Sequence, residues 1–292
     1  MQKEPWSKRG IGRPVRVVII LLSYISTPAL SNDSLILGIH PYRSHDEIRK
    51  MFTPLADFLS QRIGQAVEVR IGESYESHLN AIIQGRMDLA YIGPAPLVQL
   101  KDRNVAPYLL ARLEIGGKST FTGTIFTREG SDIRTLKDLK GRHFAFGSFS
   151  STMSHLVPRQ LLFEAGIDVE DFASYNFYNS HDNVALAVLS GDADAGSVKE
   201  AVFDKYRHKG LVAIASTPEI SEHLFIAPPG TDPDKVRSLK QCLLSLSAGS
   251  SISKQVLYPI KKTATALVSV KDGDYKKLRD MMSKLRARGV VK

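Results

Sequence analysis

Cysteine is almost missing from this chain of 292 residues: Cys242 stands alone. An intrachain disulfide is therefore impossible, and so is a metal site built on paired thiolates. Catalytic signatures are missing too. There is no GxSxG elbow, no Walker loop, no HExxH pair and no GxGxxG fingerprint. The eight histidines fall into no metal-ligand spacing, and the nearest approach is His40 and His45, which flank a Pro-Tyr-Arg loop. Ser151, His181 and Asp182 supply the residue types of a hydrolytic triad. His181 and Asp182 are adjacent, however, and successive side chains rarely converge on one point, which argues against hydrolysis. Lysine and arginine form no basic stripe interleaved with aromatics, so nucleic-acid binding has no support. Repeats, heptads and low-complexity tracts are absent as well.

Long apolar runs are equally scarce. The longest near the N-terminus is Val17 to Ile25, too short for a stable membrane span. Lys3, Lys8, Arg9, Arg13 and Arg16 precede it, and Ala29-x-Ser31 follows as a small-x-small cleavage pattern. This is the layout of a secretory signal peptide spanning residues 1–31, with an uncleaved anchor as the alternative. Removing it takes away five positive charges and one negative, so the net charge falls from +9 to +5. A mildly positive mature chain suits an anionic small ligand. No cysteine lies near the cleavage site for acylation, and the expected location is the periplasm.

What the chain does have is alternation. Ser34–Ile39, Ala66–Ile71, Asp88–Ile92 and Ala106–Glu114 read as strands. Asp46–Ile63, Tyr75–Gln84 and Pro96–Lys101 read as helices between them. This βαβαβ order predicts a largely parallel, helix-covered sheet. Thr120–Thr127 reads as an extended strand leaving that unit. A second α/β series follows: strands at Arg142–Phe146, Ser174–Tyr178, Ala193–Val198 and Val212–Ser216, and helices at Leu156–Ala165 and Asn183–Ser190. Glu222–Ala227 is a strand able to carry the chain back, and Asp232–Leu246 and Tyr275–Arg288 are helical. Cys242 is expected to be a core residue of the first of these. The expectation is two α/β lobes, residues 32–124 with 226–292 and residues 125–225, joined by two crossing strands. A ligand cleft would lie where strand ends of both lobes meet.

The densest chemical signal is FGSFSSTMSHLVPR, Phe146 to Arg159, which carries Ser148, Ser150, Ser151, Thr152 and Ser154 in seven residues. A polar turn between a strand and a helix presents N–H and hydroxyl donors at the positive end of a helix dipole, a geometry that holds an anion. An ordinary Ser/Thr N-cap explains the same residues.

Three segments in order, Gly72–Leu100, Phe146–Asp168 and Asn179–Asp204, resemble the phosphate/phosphite/phosphonate-binding proteins of ABC transporters, the PhnD-like group of periplasmic solute-binding proteins. The resemblance implies a type II periplasmic-binding fold, no enzymatic activity and no cofactor. It implies a small oxyanion ligand, and as partner a membrane permease or, alternatively, a membrane signalling protein that reads the ligand. A monomer is expected. It places Ser151 and Thr152 in a Ser-Thr-Ser oxyanion turn, His181 at a helix start as a donor when protonated, and Tyr75 and Tyr91 as aromatic walls. Met153 stands where the third hydroxyl is usual, and Ser154 where glycine is usual. Ser150 and Tyr42 are further candidates. Glu200 is the candidate for an acid that holds a ligand ammonium, and Arg43 for a clamp. His78 is expected on an exposed helix face, and His155 near the site without a role.

Overall fold

The computed structural model describes residues 34–290; the predicted signal peptide lies outside them. The first sheet contains β1 (Leu35–Ile39), β2 (Val67–Ile71), β3 (Leu89–Ile92) and β4 (Tyr108–Ile115). The helices between these strands are α1 (His45–Ile63), α2 (Tyr75–Ile83) and α3 (Pro94–Asp102). Two short strands, β5 (Thr120–Phe121) and β6 (Gly123–Arg128), lead to the second sheet. That sheet adds β7 (His143–Phe146), then α4 (Val157–Glu164), β8 (Ser174–Phe177), α5 (His181–Ser190), β9 (Ala195–Lys199), α6 (Glu200–Tyr206) and β10 (Leu211–Ser216). The chain returns through β11 (Ile220–Ser221) and β12 (Leu224–Ala227). It closes with α7 (Pro233–Leu244), α8 (Ser251–Leu257), β13 (Ala264–Val268) and α9 (Lys276–Ala287). None of these helices is long and apolar enough to cross a membrane.

The first sheet has the order β13-β4-β12-β3-β1-β2, and the second β10-β6-β9-β7-β8. Strands β1 to β4 run in one direction, as the βαβαβ reading requires. The returning β12 wedges antiparallel between β3 and β4, pairing Phe225 with both Tyr91 and Ala111. Three of the five neighbouring strand pairs in this sheet are therefore antiparallel, a correction to the largely parallel expectation. The second sheet repeats the device: β7 is parallel to β8 and β9, and β6, arriving from the first lobe, is antiparallel to β9 and β10. Each lobe receives one strand from the crossover, and β5 pairs with β11 where the two crossovers pass. This is the type II two-lobed architecture.

Both predicted crossing strands are interrupted. Thr120–Thr127 breaks at Thr122, where the Gly123 N–H donates to the Thr217 hydroxyl at 2.7 Å. A Cβ on Gly123 would come within 3.0 Å of the Met153 carbonyl oxygen, so only glycine lets the two backbones approach. Glu222–Ala227 is cut short: β12 begins only at Leu224, which leaves Glu222 and His223 between β11 and β12.

Local chemistry explains the helix boundaries. Ser44 caps α1 by accepting from the Glu47 N–H, Asp46 and Glu47 complement the helix dipole, and Gly64 ends it at φ 75°. Helix α2 opens with a reciprocal capping box between Ser74 and Ser77. It buries Tyr75, His78, Leu79 and Ile82, the i, i+3, i+4, i+7 stripe. His78 is thus on the packed face, against Gly38 and Gly72, not on an exposed one. Helix α7 starts on Asp232 and Pro233, and Cys242 lies partly buried against the core of the first lobe. Helices α6 and α8 and strand β13 were not anticipated. Lys199 ends β9 and also caps α6 without a side-chain bond, so no turn or capping residue announces that helix. Helix α9 sets Leu278, Met282 and Leu285 into one apolar cluster with Ala95 and Val98 of α3 and Met153, Leu156 and Val157 beside α4.

Candidate functional site

The hydroxyl turn does not run straight into an α-helix. Residues Thr152–Leu156 form one wide turn, capped by Ser151, before α4 begins. Such wide turns recur at functional sites. Ser151 accepts from the Ser154 N–H at 3.2 Å. Ser154 donates to the carbonyl of Ser197 on β9, and the Ser197 hydroxyl returns a bond to the Ser154 carbonyl at 3.1 Å. Ser154 therefore fastens the turn to the sheet. Thr152 reaches the other lobe, where its Oγ1 accepts from the Ala95 N–H at 3.0 Å. That N–H is one of the unpaired donors in the first turn of α3, which begins on Gly93 and Pro94.

Four helix starts thus meet at one point: Tyr75 of α2, Gly93 before α3, the Ser151–Thr152 turn before α4, and His181 of α5. Together with His40, Phe121, Met153, Lys199 and His223 they line a cavity of about 10 Å³, roughly the space of one water. No carboxylate is among these lining residues. Convergent helix N-termini give the cavity a positive potential built from backbone dipoles.

Of the three histidines on this wall, His181 is a neutral donor by its hydrogen bonds. His181 Nδ1 accepts from the Lys199 backbone N–H at 3.0 Å, so the ring proton is on Nε2, which faces Ser151 Oγ at 3.3 Å. Burial, then the Lys199 ammonium and His223, lower its pKa to about 3. It is a neutral donor, which corrects the expectation of a protonated one. The same tautomer leaves no base to take a proton from Ser151, and Asp182 binds Lys205 at 2.8 Å instead of the ring. The three residues of the triad motif therefore do not form a triad.

A charged cluster adjoins the cavity. Lys199 Nζ donates to the two Glu222 oxygens at 2.9 and 3.2 Å and lies 4.5 Å from the centre of the Phe121 ring. Glu222 is fully buried and also accepts from the backbone N–H and Nδ1 of His223, each at 2.7 Å. Burial would push the Glu222 carboxyl up, but Lys199 and His223 outweigh it and hold the group well below the usual carboxylate range. Burial lowers the Lys199 ammonium. His223, through burial and Lys199, falls to about 4. His40 stacks on Tyr91 and His223 and meets Tyr42 and Tyr75, with Nδ1 donating to the Tyr91 carbonyl at 3.0 Å.

The structure brings Tyr75, Ser151, Thr152, Met153 and His181 to the cavity wall. Tyr91 and Tyr42 are buried one layer back, against His40. Ser150 faces a separate groove with His155 and Arg159. Glu200 turns out of the cleft to accept from the Thr122 hydroxyl at 3.0 Å, and the neighbouring Lys199 lies on the cavity wall where that acid was expected. Arg43 is held by Glu47 at the mouth of the cleft. His45 opens α1 on the surface, away from His40, and among the described residues no group of three potential metal ligands occurs. Gly93, Phe121 and Lys199 were not named from sequence; His40 was weighed only as a metal ligand beside His45, and His223 only as the position where the resemblance puts a second ammonium-binding acid, with Glu222 adjacent. They sit at strand ends and the crossover, where no helix-start pattern marks them.

Residues 37–275 match the family described as "ABC transporter, phosphonate, periplasmic substrate-binding protein". The probable ABC transporter phosphite-binding protein PhnD1 of Prochlorococcus marinus is 25% identical over 283 residues, covering 91% of this chain and 95% of that protein. The phosphate-import protein PhnD of Mycolicibacterium smegmatis is 26% identical over 225 residues, 71% of this chain and 70% of that protein. The structure of PhnD1 from Prochlorococcus marinus with methylphosphonate superposes with a TM-score of 0.79 at 24% identity, covering 87% of this chain and 99% of that one. A match over most of its length makes this chain a member of the periplasmic substrate-binding proteins of phosphonate ABC transporters.

Proposed function

We propose that the chain captures a small tetrahedral oxyanion, a phosphonate, phosphite or phosphate-like compound, between its lobes and delivers it to a membrane permease. The observation that carries this reading is the meeting of four helix starts on one cavity with no carboxylate in its wall. Ser151 and Thr152 would supply hydroxyl and N–H donors, His181 its Nε2–H, and Tyr75 a phenol. The relatives that bind phosphite and import phosphate are consistent with it. A cavity of about 10 Å³ is smaller than such an ion, so entry requires the lobes to part about β5 and β11. Affinity then comes from desolvated, charge-assisted hydrogen bonds made on closure. No bond is made or broken. We take residues 1–31 to be removed on export to the periplasm, the lobe boundaries to be 32–124 with 226–292 and 125–225, and the protein to act as a monomer.

Calorimetric titration with phosphate, phosphite, methylphosphonate and sulfate tests the reading. Binding of at least one phosphorus oxyanion is expected, weakened by Ser151→Ala and by His181→Ala. No heat with any of them, from a folded protein, would refute it.

A further inference from the structure

The carboxylate nearest the cavity is already fully used. Glu222 has three donors on its two oxygens: the Lys199 ammonium, the His223 backbone N–H and the His223 ring. Lys199, not Glu222, is what the cavity meets. Lys199 and His181 are also the two residues that this cavity shares with a neighbouring one of about 420 Å³. They are therefore the side chains at any passage between the two, which a substituent reaching into the larger space would meet. Beyond lie Arg43, Lys261 and Lys262, with Glu47 and Asp204 as the acids, and Glu47 is engaged by Arg43 and Lys205.

We propose that Lys199 is a specificity-determining residue: it lines the cavity as the internal counter-ion of Glu222 and so restricts the site to oxyanions with no cationic substituent. The inference rests on the oxyanion reading above. A cationic substituent entering this passage finds a like charge, and the one buried carboxylate it could pair with is occupied. A neutral substituent of the same shape meets neither penalty. Removing the ammonium while keeping the chain length, as in Lys199→Met, leaves Glu222 as a buried carboxylate without its counter-ion, which a ligand ammonium can then supply.

The experiment is calorimetric titration of the purified protein with methylphosphonate, propylphosphonate and 2-aminoethylphosphonate, the last two nearly isosteric and differing by one charge. The wild type is expected to bind propylphosphonate at least tenfold more tightly than 2-aminoethylphosphonate. Lys199→Met should reverse that preference, and Lys199→Met/Glu222→Gln should abolish the reversal. Should the single variant fail to fold, the wild-type ratio alone decides. Equal affinities in the wild type, or tighter binding of the amine, would overturn the assignment of Lys199 while leaving the oxyanion reading intact. Loss of both longer ligands with methylphosphonate still bound would place the selection on size and overturn it as well. Failure of all three, and of phosphate and phosphite, would overturn the oxyanion reading and this inference with it.

Discussion

The backbone N–H of Lys199 donates to His181 Nδ1 at 3.0 Å, and this single bond decides what His181 can do. With Nδ1 an acceptor, the proton sits on Nε2, aimed at Ser151 and the cavity. The ring offers a fixed donor without carrying charge. We expect nitrogen NMR to find the Nε2–H tautomer at pH 7, and a ring protonated at that pH would contradict the assignment. His181→Ala removes one hydrogen bond to a charged ligand, about 1.5–3 kcal/mol, and should weaken oxyanion binding roughly 10- to 150-fold.

Thr152 joins the lobes without being charged. Its Oγ1 accepts from the buried Ala95 N–H at 3.0 Å, so Thr152→Val leaves a donor of the first α3 turn unpaired while nearly keeping the side-chain shape. The cost of a buried unsatisfied N–H is about 1–3 kcal/mol. A melting temperature lowered by roughly 2–4 °C per kcal/mol is the expected outcome. An unchanged melting temperature would mean that the bond contributes nothing to the closed arrangement.

Five buried histidines set the response to acid, and burial holds one of them, His40, well below its ordinary value. Burial pushes His78, His155 and His223 down to about 4 and His181 to about 3, from an ordinary value of 6.5. Each therefore binds its proton more readily in the unfolded chain. The stability linked to them is complete above pH 6.5 and is lost as the pH falls toward 4, with a slope of up to about 1.4 kcal/mol per pH unit for each ring. Glu222, held low in the folded state, works in the same direction once the pH falls below its ordinary value of 4.5. Urea midpoints measured from pH 7.5 to 5 should fall on the acid side. A flat profile would show that the rings take up protons within the fold.

How far the site was legible depended on local pattern. Tyr75, Ser151, Thr152 and His181 each follow or open a helix after a polar turn, and a helix start is something a sequence displays. His40, Lys199 and His223 come from strand ends and from the crossover, and only the sheet order brings them together. Lys199 was hidden further because β9 passes into α6 with no loop between them, and the resemblance pointed to the adjacent Glu200. The lobes were legible from strand and helix alternation. The insertion of β12 between β3 and β4 was not, since a strand of four residues carries no sign of its neighbours. His78 was misplaced although its spacing from Tyr75, Leu79 and Ile82 set it on the buried stripe.

Gly147 and Ser154 form a steric pair that shapes the hydroxyl turn. A Cβ built on Gly147 would lie 2.5 Å from Ser154 Oγ and 2.8 Å from Ser154 Cβ. The serine cannot simply swing aside, because it is bonded to Ser197 in both directions across to β9. Gly147→Ala should therefore overpack the turn and cost about 1–3 kcal/mol. Ser154→Gly makes room but gives up both the hydroxyl and its side of the Ser197 exchange, so it should be destabilising by itself. If the contact is what matters, the two changes compensate: the double variant should be more stable than the sum of the single losses predicts, with a coupling of at least about 0.5 kcal/mol in a double-mutant cycle. Strict additivity would mean that the turn relaxes around an alanine at 147 by another route, and that Ser154 contributes only through its hydrogen bonds.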